Sequence, residues 1–134
     1  MSTVVRRELS QKNNYRIDKQ RRFELEHFCL QYKMWKKEVH SFEEKYGKEI
    51  LLQEECAEEL IDIKRRYDYY KRSIAMVESA AAKTDDAIGP YIFKAVTEEL
   101  YWPALKTLYD IPCSRGTFYN RLHKFFYILD DMRL

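Results

Sequence analysis

The stretch CAEELIDIKRRYDYYKRSIAMVESAA, residues 56–81, decides the fold. Within it Cys56, Leu60, Ile63, Tyr67, Tyr70, Ile74, Val77 and Ala81 follow one another at alternating steps of four and three. That spacing sets them on one seam of an α-helix about four heptads long. Between them Glu58, Glu59, Lys64, Arg65, Arg66, Asp68, Lys71 and Arg72 keep the remaining faces in water. The pattern predicts one helix over about residues 50–82, roughly 50 Å long at a rise of about 1.5 Å per residue. A seam of that length needs a partner stripe.

The partner stands just upstream. Leu25, Phe28, Tyr32, Trp35, Val39, Phe42 and Tyr46 repeat the three-four alternation, which predicts a helix from about residue 18 that Gly47 ends. The connection over residues 46–49 is short, and short connections set neighbouring helices antiparallel. A second copy of the chain is the alternative source of the stripe. The seam aromatics are larger than the aliphatic residues a parallel two-stranded coiled coil takes, which favours the hairpin, with a homodimer through the hairpin left open on top of it.

Downstream the punctuation changes. Thr84 or Asp85 suits the N-cap of a third helix reaching about Glu99, with Pro90 in its first turn and Ile88, Tyr91, Ile92, Ala95, Val96 and Leu100 as its apolar face. Trp102-Pro103 opens a fourth helix of at most two turns, to about Tyr109. Pro112 lacks an amide hydrogen and pushes Ile111 towards extended backbone, so Asp110-Ile111-Pro112-Cys113 reads as a turn. Ser114 then caps a final helix whose buried face is Phe118, Leu122, Phe125, Leu129 and Met132. The expected architecture is therefore all-α. It comprises a basic irregular arm (residues 1–17), a long antiparallel, coiled-coil-like helical hairpin (18–83) and a C-terminal helix-turn-helix bundle (84–134).

A short helix, a tight turn and a capped longer helix is the plan that delivers a helix N-terminus into the major groove. The face of the last helix turned away from Phe118 and Leu122 is the candidate reading surface. Arg115 and Asn120 carry donors for base edges, and Gly116 lets the backbone come close. Tyr119, Arg121 and Lys124 reach towards phosphates, with Thr117 and His123 completing the set. Charge is distributed to match. Residues 1–22 carry seven Arg or Lys against Glu8 and Asp18, and residues 101–134 carry five against three. The middle is left at −5 within a net +2.

Composition excludes other classes. Three Gly and three Pro are too few for a protein of many tight turns, and 46% hydrophobic with 34% charged residues suits a folded chain rather than a disordered one. The longest uncharged stretch falls short of the roughly 20 residues that cross a bilayer, and the N-terminus lacks the apolar run of a secretory signal, so no membrane partner and a cytoplasmic location are expected. Cys29, Cys56 and Cys113 are odd in number and widely spaced, which argues for buried free thiols and against a disulfide framework or a zinc site. His27, His40 and His123 lie on different segments, without a paired carboxylate, glycine-rich phosphate loop or nucleophile motif. The chain is not expected to be an enzyme or to carry a cofactor or metal.

Three runs carry a family resemblance: PYIFKAVTEE at residues 90–99, IPCSRGTFY at 111–119 and KFFYIL at 124–129. They resemble a family of small proteins encoded by phages and integrated elements of Gram-positive bacteria, marked by an IPC-x4-FY-x5-FFYLL-like ending. That ending is similar to the sigma-region-4-like helix-turn-helix of phage transcriptional regulators of the ArpU and RinA type. The resemblance covers about residues 84–133. It implies sequence-specific binding of double-stranded DNA and regulation of phage or mobile-element transcription in a bacterial host cell, with contact to RNA polymerase left open. Two readings from other classes remain. A DNA-packaging adaptor like a small terminase subunit would assemble into a ring, and a pure protein-interaction hairpin would not bind DNA.

Overall fold

The computed structural model describes residues 15–134. The basic arm expected over residues 1–17 falls outside the described residues except for its last three, a turn residue and two residues without regular structure. Seven α-helices follow: α1 (Lys19–Leu30), α2 (Tyr32–Tyr46), α3 (Lys48–Leu51), α4 (Ile61–Thr84), α5 (Gly89–Glu98), α6 (Trp102–Tyr109) and α7 (Arg115–Met132). A single 3-10 turn, Glu58–Leu60, leads into α4, and no strand occurs among the described residues. The chain is all-α.

Three helices differ from expectation. The first long helix is two, α1 and α2, separated at Gln31. The Gln31 amide donates to Phe28 O in a tightened turn, while Gln31 O still accepts from Trp35 N–H. The break leaves the apolar stripe intact: Leu25, Phe28, Tyr32, Trp35, Val39 and Phe42 are all buried, and Tyr46 is half-buried.

The second correction is larger. The helix expected from residue 50 begins at Ile61, and its 24 residues span about 36 Å rather than 50. Its register against α2 supplies the reason. Tyr32 hydroxyl donates to Glu78, and Tyr67 hydroxyl donates to Glu43 Oε2 at 2.6 Å, so the two helices pair in opposite chain directions. Continued to the end of α2, that register sets Tyr46 opposite residue 64. Earlier turns of the seam, at Cys56 and Leu60, lie beyond the end of α2. Glu54, Glu55, Glu58 and Glu59 also stand at helical neighbour spacings, where like charges disfavour helix. Lys64 closes the corner instead, its ammonium donating to Leu51 O at 2.9 Å and to Asp68. The third, α5, takes Ile88 as its N-cap rather than Thr84 or Asp85, because Thr84 closes α4 and Asp85 starts the connection between the two helices.

From Tyr67 onward α4 is the central helix. It packs against α2, α5 and α7. Beside the expected Tyr67, Ile74, Val77 and Ala81 it buries Ser73, Ala80 and Thr84. Thr84 meets the cost of burial by donating its hydroxyl to Ala80 O at 2.7 Å. One continuous cluster of buried side chains runs from Leu25 to Leu129, so α1, α2, α4, α5 and α7 share a core.

Polar ties also fasten α1 to α7. Arg22, 8% exposed, holds its guanidinium 4.2 Å from the Phe126 ring centroid while bonding Glu26. Arg21 pairs with Asp130, and Arg133 with Glu24 at 2.8 Å. Cys29 is buried, whereas Cys56 and Cys113 are half-buried, and all three are free thiols. Among the described residues no helix is long and apolar enough to cross a membrane.

Candidate nucleic-acid interface

The C-terminal segment is assembled on Ile111. This residue, fully buried, takes the turn into the core, and Trp102 Nε1 donates to Cys113 O at 3.1 Å to tie the start of α6 to the turn's far end. α6 stops at Asp110, which adopts the left-handed conformation at φ 50° and donates its amide to Lys106 O, while the Ile111 amide donates to Leu105 O. Ser114 then starts α7 with extended backbone, its hydroxyl oxygen accepting from Thr117 N–H at 3.2 Å. Phe118, Leu122, Phe125, Phe126 and Leu129 face inward, with Phe118 and Phe125 fully buried.

The sequence-derived site residues separate into two groups. Gly116, Asn120 and Lys124 recur every four residues opposite the buried face, with Thr117 beside them. Arg115 and Thr117 are exposed, and Lys124 makes no ion pair among the described residues. Tyr119 stands at the edge. Its ring meets Phe118 edge-on at 4.9 Å while its outer face lies 5.7 Å from the Arg115 guanidinium, which braces that arginine at the start of α7. A Cβ added to Gly116 would meet nothing within 4 Å, so no contact inside the chain requires glycine there.

Arg121 and His123 lie on the flanks and are engaged within the chain. Arg121 Nε pairs with Asp85 Oδ2 at 3.0 Å, and its Nη1 donates to Asn120 Oδ1 at 2.6 Å. His123 Nδ1 lies 3.0 Å from Arg22 Nη1, against α1. Both residues therefore orient α7 on the rest of the core. Lys106, exposed and paired with Asp110 at 3.0 Å, brings a further cation near the turn that sequence reasoning passed over because it lies outside the last helix.

Asp85 links the two halves of the site. Its Oδ1 accepts from the amides of Ala87 and Ile88 at 2.8 and 2.9 Å, which caps the approach to α5, and its Oδ2 holds Arg121. The Ile88 amide first, then Arg121, hold its carboxyl below the usual carboxylate range. A depressed folded-state pKa stabilises the fold above the ordinary carboxylate value, and that contribution is lost as pH falls through the depressed one. Asp85→Asn should therefore be less stable than the native chain at neutral pH. The difference should vanish in acid, below the folded-state pKa. Denaturant unfolding across the acid range reads this directly, and a pH-independent gap would show that the carboxylate's charge is not what matters.

The outward side of α7 offers hydrogen-bond donors and cations. Burial pushes the Cys113 thiol up, so it stays protonated at neutral pH. Among the described residues no three His, Cys, Asp or Glu converge as metal ligands. The chain matches no family model, no curated protein and no solved structure.

Proposed function

We propose that the chain binds double-stranded DNA through α6, the turn and α7 acting as a helix-turn-helix, mounted on an antiparallel hairpin of α1–α2 and α4. We further propose that it regulates transcription of phage or mobile-element genes. One observation carries the DNA-binding reading. The outward face of α7 gathers Gly116, Thr117, Asn120 and Lys124, exposed Arg115 stands at the capped helix start beside them, and no Asp or Glu occurs between residues 111 and 129. Backbone amides at a helix N-terminus attract phosphate, Asn120 and Arg115 supply donors for base edges, and Gly116 keeps side-chain bulk out of the approach. The regulatory role is supported by the resemblance of residues 84–133 to phage regulators.

The charge is modest. Two cations on the reading face give a monomer weak binding, so tight binding calls for a homodimer reading two half-sites or for a partner already on the DNA.

Salt titration of binding to duplex DNA by fluorescence anisotropy tests the reading. Each engaged cation adds about 0.9 to the slope of log affinity against log salt, so Arg115 and Lys124 imply roughly tenfold weaker binding on going from about 50 to 200 mM. The Arg115→Ala, Lys124→Ala double variant should flatten that slope by nearly two while keeping its helicity. Absence of binding at low salt, or an unchanged slope in the double variant, would overturn the assignment. Arg121→Ala should act differently, lowering thermal stability through loss of the Asp85 tie.

A further inference from the structure

A line of hydrogen-bonded side chains reaches α7 from outside it. Asp85, in the connection between α4 and α5, is held through Oδ1 by the Ala87 and Ile88 amides at 2.8 and 2.9 Å. Its Oδ2 accepts from Arg121 Nε at 3.0 Å, and Arg121 Nη1 donates to Asn120 Oδ1 at 2.6 Å. The guanidinium is therefore fixed on two sides. Arg121 carries donors only, so the atom of Asn120 that faces it must be the carbonyl oxygen, because a turned amide would set N–H against N–H. Asn120 is held in one of its two amide orientations. It is half-buried, four residues from both Gly116 and Lys124, and its Nδ2 makes no hydrogen bond among the described residues.

An asparagine free to turn pairs with adenine through both ends of its amide, Nδ2 donating to N7 and Oδ1 accepting from the N6 amino group. Here the second half of that pair is obstructed. The guanidinium already donates to Oδ1, and an adenine amino group brought to the same oxygen would meet a cation and its N–H groups. Guanine removes the conflict. Its N7 and O6 are both acceptors for the hydrogens of Nδ2, and its major-groove edge brings no donor. Cytosine presents a donor there, and thymine presents a single acceptor beside a methyl group. The bond from Arg121 also polarises the amide, which strengthens Nδ2 as a donor.

We propose that Arg121, braced by Asp85, is a positioning residue that makes Asn120 a donor-only reader selecting guanine over adenine. The proposal rests on the reading of α7 as the helix that enters the major groove. It gives Arg121 a part in recognition that needs no contact with DNA, since its Nε and Nη1 are both engaged within the chain. The Asn120 amide is ordered before binding, so less conformational freedom is lost on contact.

The test compares the native chain with Arg121→Lys and Asn120→Ala in selecting bound sequences from a pool of random duplexes at low salt. Lysine keeps the charge and can pair with Asp85, but a single ammonium does not span two partners as the guanidinium fork does. The native chain should favour guanine over adenine by about tenfold at one position, within the range of a good base-edge contact. Asn120→Ala should lose the preference at that position alone. Arg121→Lys should erase most of it there, while the other positions and the salt slope stay as in the native chain. NMR of the isotope-labelled protein without DNA reads the positioning separately. The Asn120 side-chain NH2 should be ordered in the native chain and mobile in Arg121→Lys, with the backbone amide pattern of α4 and α5 retained. A native chain that binds no duplex overturns the DNA-binding reading of α7, and the proposal with it. Binding with the same base preference before and after Arg121→Lys, a preference for adenine where Asn120 reads, or an Asn120 NH2 no more ordered than in the variant overturns the positioning role alone.

Discussion

Tyr67→Ala should remove about 3–5 kcal/mol of stability, the range for truncating a fully buried aromatic residue. Tyr67 is 0% exposed at the middle of the α2–α4 seam, and its hydroxyl donates to Glu43 Oε2 at 2.6 Å. Burial first, then the bond to Glu43, pushes its pKa up, so the phenol remains a donor throughout the neutral range. Truncation loses the ring's burial, opens a cavity that two rigid helices cannot close, and leaves half-buried Glu43 without that donor. For a chain of this size the loss corresponds to a fall in melting temperature of roughly 10–20 °C. Tyr67→Phe separates the contributions: the ring stays, and only the hydrogen bond, worth about 1 kcal/mol, is lost. Thermal unfolding of the two variants, followed by circular dichroism, measures both. Equal small losses would mean that the seam does not carry the core.

The seam was legible because burial imposes its period on the sequence locally. Tyr67, Ile74, Val77 and Ala81 face the core, as do Leu25 to Phe42 on the partner stripe, and each position follows from the three-four spacing alone. What stayed hidden depended on tertiary register. The start of α4 at Ile61 is fixed by where α2 runs out, and nothing within residues 50–60 marks that point except an excess of glutamates. The second buried side of α4 escaped notice because Ser73, Ala80 and Thr84 are small or polar and do not enter an apolar stripe. They are buried because other helices pack closely there.

The candidate interface divides in the same way. Ile111 in the turn, Ser114 as cap and Phe118 in the core are local consequences of proline, serine and periodicity, and they were readable. Arg121 and His123 were grouped with the outward residues because their helix angles allow it. Their partners are 36 and 101 residues away, Asp85 and Arg22, and no local pattern encodes such pairs.

Two glycines, both in helices, should respond to alanine with opposite signs, and the contrast tests the packing and the interface together. Gly89 opens α5 with ordinary negative-φ backbone, so conformational freedom is not its purpose. A Cβ there would lie 2.8 Å from Ala81 O and 3.6 Å from Ala81 C. A backbone carbonyl inside α4 cannot swing aside as a side chain would, so the two helices must move apart. Helix propensity favours alanine over glycine by up to about 1 kcal/mol, but overpacking a fitted contact costs about 1–3 kcal/mol or more. The clash should win, and Gly89→Ala should destabilise by about 2 kcal/mol, with bulkier residues worse. Because Asp85 lies in this same connection, the displacement should also loosen its hold on Arg121 and lower the midpoint of unfolding reported from α7. At Gly116 the added methyl meets open space, so propensity acts unopposed and alanine should stabilise by up to about 1 kcal/mol. If the first turn of α7 comes close to DNA, the same methyl stands in the way, and Gly116→Ala should bind DNA more weakly while melting at a higher temperature. A variant that gained stability and kept full affinity would remove close backbone approach at Gly116 from the mechanism and leave recognition to Arg115, Asn120 and Lys124.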